Sequence, residues 1–254
     1  MSARPRTLAR PAVLCVGGLD PSGGAGLLAD AAAVWESGGL ALCCATAITI
    51  QSCRGVGRFS LLSPRLVNDQ VERLLDDEAP AAIKLGMLGS ESILNVLVRL
   101  FERRLGRLPL VVDPIVRATS GTRLFTGRTD RGYATLFAMA AAVTPNRPEA
   151  ELFLRKPLRD DRGATEDAAH ALTAFFASPV VFKGGHQRRQ GSDDLVIDHK
   201  GKITWLNGSR VPGDKRGTGC RFAAALACGL GRGDDLVSAS RNAKALVRRY
   251  LIEH

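Results

Sequence analysis

Aromatic residues are scarce in this 254-residue chain, at 5%, and that scarcity removes most of the platforms on which single-stranded nucleic acid stacks. The net charge of +10, from Lys+Arg 35 against Asp+Glu 25, does not replace them. Its basic residues are scattered, in runs as short as Arg188-Arg189 and Arg248-Arg249, so a solvated arginine-rich surface is expected and no nucleic-acid partner. Long hydrophobic runs are also missing. Ala41 to Ile50 and Leu136 to Val143 fall well short of the roughly 18 residues a bilayer requires, so no membrane partner is expected. The six cysteines, at 15, 43, 44, 53, 220 and 228, include no Cys-x-x-Cys pair and no neighbouring histidine, a spacing that suits neither a zinc site nor a disulfide framework and reads as reduced thiols. Arg4, Arg6 and Arg10 precede an apolar stretch that ends at Gly17, Gly18 and Asp20. That stretch is too short for the core of a secretory signal, and a cytoplasmic location is expected.

Two common nucleotide-binding signatures are absent. No G-x-x-x-x-G-K-[ST] loop occurs, since Gly213 is followed five residues later by Thr218 where a glycine is needed. Gly24-Ala25-Gly26 with Ala29 meets the loose G-x-G-x-x-A pattern of dinucleotide binding. Yet no Asp or Glu lies between Ser37 and Asn68, where that fold places the acid that holds the ribose, so a nicotinamide enzyme is disfavoured.

What is present is the alternation of a layered α/β domain with a mostly parallel sheet. Short apolar runs at Ala12 to Val16, Ala81 to Leu85, Leu110 to Val112, Ala140 to Thr144 and Pro179 to Lys183 read as buried strands. Leu195 to Asp198 and Lys202 to Leu206 flank a turn and predict a hairpin. Ser63-Pro64 predicts a capped helix start, with Val67, Val71, Leu74 and Leu75 on one face through Asp76. Ser90 caps a helix carrying Ile93, Leu97, Leu100 and Phe101. Two helices close the chain, the last with Leu236, Ala239, Ala243, Leu246, Val247 and Tyr250 on its buried face. Residues 1–12 read as a flexible arm and 13–254 as one domain, with 184–194 the best candidate for a mobile loop.

The polar residues that follow these strands carry the chemistry. Asp113 ends one strand and Asn146 to Glu149 follow another, so Asp113 and Glu149 can offer oxygens to Mg²⁺ at the carboxyl edge of the sheet. Asn146 and Glu149 equally suit a helix start. Lys183 precedes Gly184-Gly185-His186, where a phosphate can approach closely, although a lone strand-end lysine commonly just reaches water. Gly217-Thr218-Gly219-Cys220 places small, backbone-exposing residues and a thiol at the start of a helix. Uncapped N–H groups and the helix dipole make such a corner an anion site.

Together, Asp20 to Gly26, Lys84 to Leu88, Asp113-Pro114, Thr144 to Glu149, Lys183 to His186 and Gly217 to Cys220 resemble the hydroxymethylpyrimidine and phosphomethylpyrimidine kinases of thiamine biosynthesis, within the ribokinase superfamily. The match runs in order over nearly the whole chain. It implies a ribokinase-like three-layer α/β/α fold, ATP and Mg²⁺, a homodimer, and transfer of phosphoryl to 4-amino-5-hydroxymethyl-2-methylpyrimidine and its monophosphate. It places Cys220 opposite the substrate hydroxymethyl, with Gly217, Thr218 and Gly219 forming the phosphoryl hole. Gln51 is placed at the pyrimidine edge, Gly18, Met87, Ile115 and Asp20 around the ring, Asn146, Lys183 and Lys244 near the nucleotide, and Asp113 and Glu149 near the metal. A thiol pKa lowered by the helix N-terminus, Arg216 and Arg221 is expected, which would let Cys220 act as base; a small buried thiol is the alternative. The chain departs from the family pattern at Arg216, Arg221, Thr119 and Gln51-Ser52-Cys53. Pyridoxal or pyridoxine kinase is the nearest alternative, and a non-catalytic nucleotide-binding regulator of the same fold is a further one.

Overall fold

The computed structural model describes residues 10–52, 55–118, 121–127, 129–186, 191–212 and 215–253. Among them a nine-stranded sheet runs in the order β3-β2-β1-β4-β5-β6-β7-β8-β9. Its strands are β1 Ala12–Leu19, β2 Leu40–Ser52, β3 Gly55–Leu61, β4 Ala82–Leu85, β5 Leu110–Val112, β6 Ala142–Val143, β7 Val180–Phe182, β8 Asp194–Ile197 and β9 Ile203–Leu206. From β2 through β7 every pairing is parallel. The edges β3, β8 and β9 pair antiparallel.

The central strands are short and apolar because both of their faces are covered. Along β1, Leu14 and Val16 enter one core while Val13 and Cys15 enter the other, as a two-residue period requires. The first core is closed by α2 Pro64–Asp77, α3 Glu91–Leu100, α4 Thr129–Ala138, α5 Arg147–Leu154 and α6 Arg162–Phe176. Here the few aromatics are concentrated. Phe137 lies 5.1 Å from Tyr133, 5.5 Å from Phe153 and 4.3 Å from Phe176 between ring centroids. The second core is closed by α1 Gly26–Glu36, α7 Thr218–Arg232 and α8 Leu236–Glu253. Because α7 presents Ala223, Ala224, Ala225 and Ala227, it lies close against the sheet; a Cβ on Gly231 would come within 3.0 Å of Ala82.

The predicted caps form. Ser63 accepts from the Leu66 N–H and Ser90 from the Ile93 N–H, contacts that typically stabilise a helix by ~1 kcal/mol. The helix at Ser90 ends its α geometry at Leu100 and widens into a π turn over Phe101–Leu105. The strand expected over 140–144 shrinks to Ala142–Val143. Ala41 to Ile50, which periodicity leaves unassigned, lies within β2 and forms the edge hairpin with β3. Much of the expected N-terminal arm, and residues 187–190 of the expected mobile loop, lie outside the described residues.

The strand order also fixes where a ligand can enter. The chain leaves β1 for β2 on one side and then crosses to β4 on the other, so a crevice opens between the carboxyl ends of β1 and β4. The loops after β1, β4, β5, β6 and β7 all emerge along that edge.

Candidate active site

Five strand ends and the start of α7 converge at this edge. Lys183, just past β7, places its Nζ 2.7 Å from Asp113 Oδ1, just past β5. The hydroxyl of Thr144 donates to the same oxygen at 3.2 Å. Above them, a Cβ on Gly219 would lie 3.2 Å from Lys183 Nζ and 3.8 Å from Asp113 Oδ2. The helix start and the ion pair therefore face one another across a gap that only glycine leaves open. Burial pulls the Lys183 ammonium down, but Asp113 and Glu149 outweigh it and hold its pKa above the ordinary value.

Gly217 shapes the bend. Its φ of +74° is left-handed, and a Cβ there would come within 2.1 Å of the Gly24 carbonyl oxygen. No side chain caps α7, so the N–H groups of its first turn are free to meet an anion. Gly217, Thr218 and Gly219 are half-buried, with room for a ligand to reach the backbone.

Beside the ion pair, Asn146 and Glu149 make a reciprocal capping box at the start of α5. The Asn146 side chain accepts from the Glu149 N–H at 2.9 Å, and Glu149 Oε2 accepts from the Asn146 N–H at 2.8 Å. The helix-start reading thus holds, and it leaves the second Glu149 oxygen outside the cap. Burial pushes the Glu149 carboxyl up to about 7; Lys183 opposes this, while Asp113 adds to it. Two buried carboxylates against one ammonium leave room for a cation. Among the described residues no group of three or more His, Cys, Asp or Glu could hold a metal by itself. That sparse donor set suits Mg²⁺, which binds through one or two carboxylates and completes its shell with water and phosphate.

The expectation of a thiolate at Cys220 is not met. Burial pushes its thiol up to about 11, with Lys84 opposing and Asp30 and Asp113 adding to the rise. The arginines invoked to lower it do not do so. Arg221 is buried, its guanidinium stacked 4.0 Å over the Tyr250 ring and 3.7 Å from Glu36. Arg216 instead reaches to the β1–α1 loop, 2.9 Å from Asp20 Oδ2.

Asp20 was expected beside the substrate ring, and its oxygens are taken up within the chain. Oδ1 accepts from the N–H and hydroxyl of Ser22, and Oδ2 from the Ala25 N–H and Arg216. Burial works against its ionisation, yet these donors hold its pKa below the ordinary value. Gly18, Met87 and Ile115 do come together. A Cβ on Gly18 would meet Met87 Sδ at 2.9 Å, and Met87 and Ile115 share a small apolar cluster with Ala47 and Val56. The β2–β3 register shifts between Ile50 and Gln51 and pairs Gln51 with Val56, which packs against this cluster. Lys244 stands apart from the convergence. Its Nζ lies 2.9 Å from Asp194 Oδ2, and Asp194 Oδ1 accepts from the Gly184 N–H, so Lys244 braces the turn after Lys183.

A family model described as phosphomethylpyrimidine kinase matches residues 20–254. The chain belongs to that family. A thiamine biosynthesis bifunctional protein ThiED from Geobacter sulfurreducens is 36% identical over 95% of this chain, which spans 48% of that protein. The chain covers still less of two corynebacterial relatives, 31% and 30%. A hydroxymethylpyrimidine/phosphomethylpyrimidine kinase from Rhizobium meliloti is 34% identical over 91% of the chain and 87% of its own length. Among solved structures, a phosphomethylpyrimidine kinase from Clostridium difficile aligns with a TM-score of 0.81 at 25% identity, covering 95% of this chain and all of its own. Pyridoxal kinase from Staphylococcus aureus, in complex with AMP-PCP and pyridoxal, aligns with a TM-score of 0.83 at 28% identity over 96% of this chain and 88% of its own.

Within this phosphomethylpyrimidine kinase family member, sequence reasoning passed over one pair. Lys84 Nζ lies 2.8 and 2.7 Å from the two oxygens of Asp30, and both side chains are sealed from solvent. The signal was legible: a lysine in the apolar run Ala81 to Leu85, and an aspartate inside the apolar face of Leu27 to Val34. A charge in such surroundings must find a partner. Of the departures from the family pattern, Thr119 and Cys53 lie outside the described residues.

Proposed function

We propose that this chain transfers the γ-phosphoryl of ATP to the hydroxymethyl group of 4-amino-5-hydroxymethyl-2-methylpyrimidine, and then to the resulting monophosphate. The observation that carries the reading is the uncapped start of α7, which faces Lys183 so closely that a Cβ on Gly219 would lie 3.2 Å from its Nζ. In the transfer, the substrate oxygen forms a bond to phosphorus as the bond to the ADP oxygen breaks, and the hydroxyl proton is released. The N–H groups from Thr218 to Cys220 receive the charge that spreads over the moving phosphoryl, and Lys183 neutralises it from the opposite side. Asp113 and Glu149 would hold Mg²⁺, which would supply positive charge to shield the nucleotide phosphates. Gln51 presents a donor and an acceptor together to an aminopyrimidine edge, with Gly18, Met87 and Ile115 against the ring. Asn146 orders the Glu149 carboxylate, and Lys244 acts on the nucleotide through the turn at Gly184. Cys220, protonated at neutral pH, places the hydroxymethyl and takes no proton from it; phosphoryl transfer asks little of a base.

The likeness to pyridoxal kinase from Staphylococcus aureus favours a second reading, in which pyridoxal is the alcohol. Gln51 favours the aminopyrimidine. Incubation with ATP, Mg²⁺ and each alcohol, followed by mass spectrometry, separates them. Mono- and diphosphate of the pyrimidine are expected; phosphorylated pyridoxal alone would transfer the assignment. We further propose a homodimer, supported by the exposed apolar residues Leu40, Ile48 and Ile50 along β2, which light scattering would detect. A cytoplasmic setting is supported by the free cysteines among the described residues.

A further inference from the structure

We propose that Arg216 receives the phosphate already carried by the monophosphate substrate and so selects for the second phosphorylation. The inference rests on the function proposed above. Arg216 immediately precedes the Gly217 bend, and its guanidinium reaches the β1–α1 loop and the end of β2. It donates to the Ser52 carbonyl, next to Gln51, at 2.6 Å, to Ser22 Oγ at 3.3 Å and to Asp20 Oδ2 at 2.9 Å. A Cβ on Gly24, whose carbonyl abuts Gly217, would sit 3.4 Å from its Nη1.

The chemistry of the second step needs a cation at this place. The first phosphate joins the ring methylene to the attacking oxygen, so it must lie between the ring pocket and the bend. There it is pressed against the incoming γ-phosphate, and the two repel. Lys183 and Asp113 pair with each other and face the bend at Gly219. Arg221 is turned away against Tyr250. Of these three cations Arg216 is the one that reaches the end of β2 beside Gln51, with the Asp20 carboxylate held against it. Three of its five N–H donors are spent on Ser22, Ser52 and Asp20, which leaves two for a phosphate. Its side chain is 26% exposed, so a ligand can reach those donors. The contacts also fix it in advance: Tyr250 donates to the Arg216 carbonyl at 3.2 Å, and Asp20 holds the fork.

The test compares binding of the pyrimidine alcohol and its monophosphate to the wild type, Arg216→Ala and Arg216→Lys, by calorimetry, with thermal melts to confirm folding. In Arg216→Ala, the monophosphate Kd is expected to rise at least tenfold more than the alcohol Kd, and Arg216→Lys is expected to recover part of the loss. KM for the two acceptors should split in the same sense. Equal weakening of both ligands would make Arg216 only a clip between loops and overturn the proposal, as would a wild type that does not bind the monophosphate. Should Arg216→Ala not fold, the arginine-to-lysine comparison decides on the same criterion. Absence of phosphoryl transfer to either acceptor by the wild type would sink the kinase reading alone, since the binding ratio is read without turnover.

Discussion

The molecule holds two lysine–aspartate pairs of the same length, one beneath the sheet edge and one on it. Lys84 and Asp30 meet at 2.7 Å with side-chain exposures of 1% and 0%, and Lys84 contacts both carboxylate oxygens. Lys183 and Asp113 also meet at 2.7 Å, at 12% and 2%, but Lys183 contacts one oxygen and leaves Oδ2 facing the glycine bend. Burial pulls the Lys84 ammonium down, and Asp30, Cys220 and Asp113 outweigh it, so its pKa stays above the ordinary value. The closed pair is sealed from solvent and any ligand; it ties β4 to α1 under the site. The open pair is built with unspent capacity. The same two side chains serve structure or chemistry according to what covers them.

Breaking the closed pair should have the largest effect. Lys84→Met or Asp30→Asn leaves one buried charge without a partner, and chemical denaturation should show a loss of about 3–5 kcal/mol. The double substitution Asp30→Leu with Lys84→Met should recover most of it. Breaking the open pair should invert the pattern. Lys183→Met should lower kcat by roughly 10²–10³, the range typical for removing a group that stabilises developing charge, while its melting temperature changes far less than that of Lys84→Met.

Gly217→Ala lies between these outcomes. The left-handed conformation alone costs an L-residue about 1–2 kcal/mol, and the added Cβ would press on the Gly24 carbonyl, so stability and turnover should fall together. The smallest effect is expected at Cys220. Its pKa is raised by burial to about 11, from an ordinary 9.0, so the folded state holds the proton more tightly than the unfolded state. That contribution is complete below the ordinary value and is lost as pH rises through the raised one. The stability gap between wild type and Cys220→Ala should therefore narrow in alkali. Between about pH 6 and 8 the shape of the kcat profile should be the same in both, since a protonated thiol contributes no inflection there.

The closed pair also marks where sequence reasoning stopped. Strands such as Leu110–Val112 and caps at Ser63 and Ser90 were legible because each rests on residues near in sequence. The polar strand ends and the Gly217 bend were legible because glycine, proline and carboxylates punctuate apolar runs. Lys84 and Asp30 lie 54 positions apart, and only the β1–β4 crossover brings them together. The fate of Arg216 and Arg221, five residues apart, depended on the first preceding the Gly217 bend and the second lying on α7, and on partners distant in sequence, which no local pattern fixes. The thiolate expected at Cys220 failed because the dipole and the arginines were weighed without the burial that α7's packing imposes.

The most direct test of the open pair as the reacting centre is ADP formation from ATP, Mg²⁺ and 4-amino-5-hydroxymethyl-2-methylpyrimidine by wild type and Lys183→Met, each verified as folded. Turnover by the wild type, reduced at least a hundredfold in the variant, is the predicted result. Equal turnover by both proteins, or none by the wild type, would contradict the account.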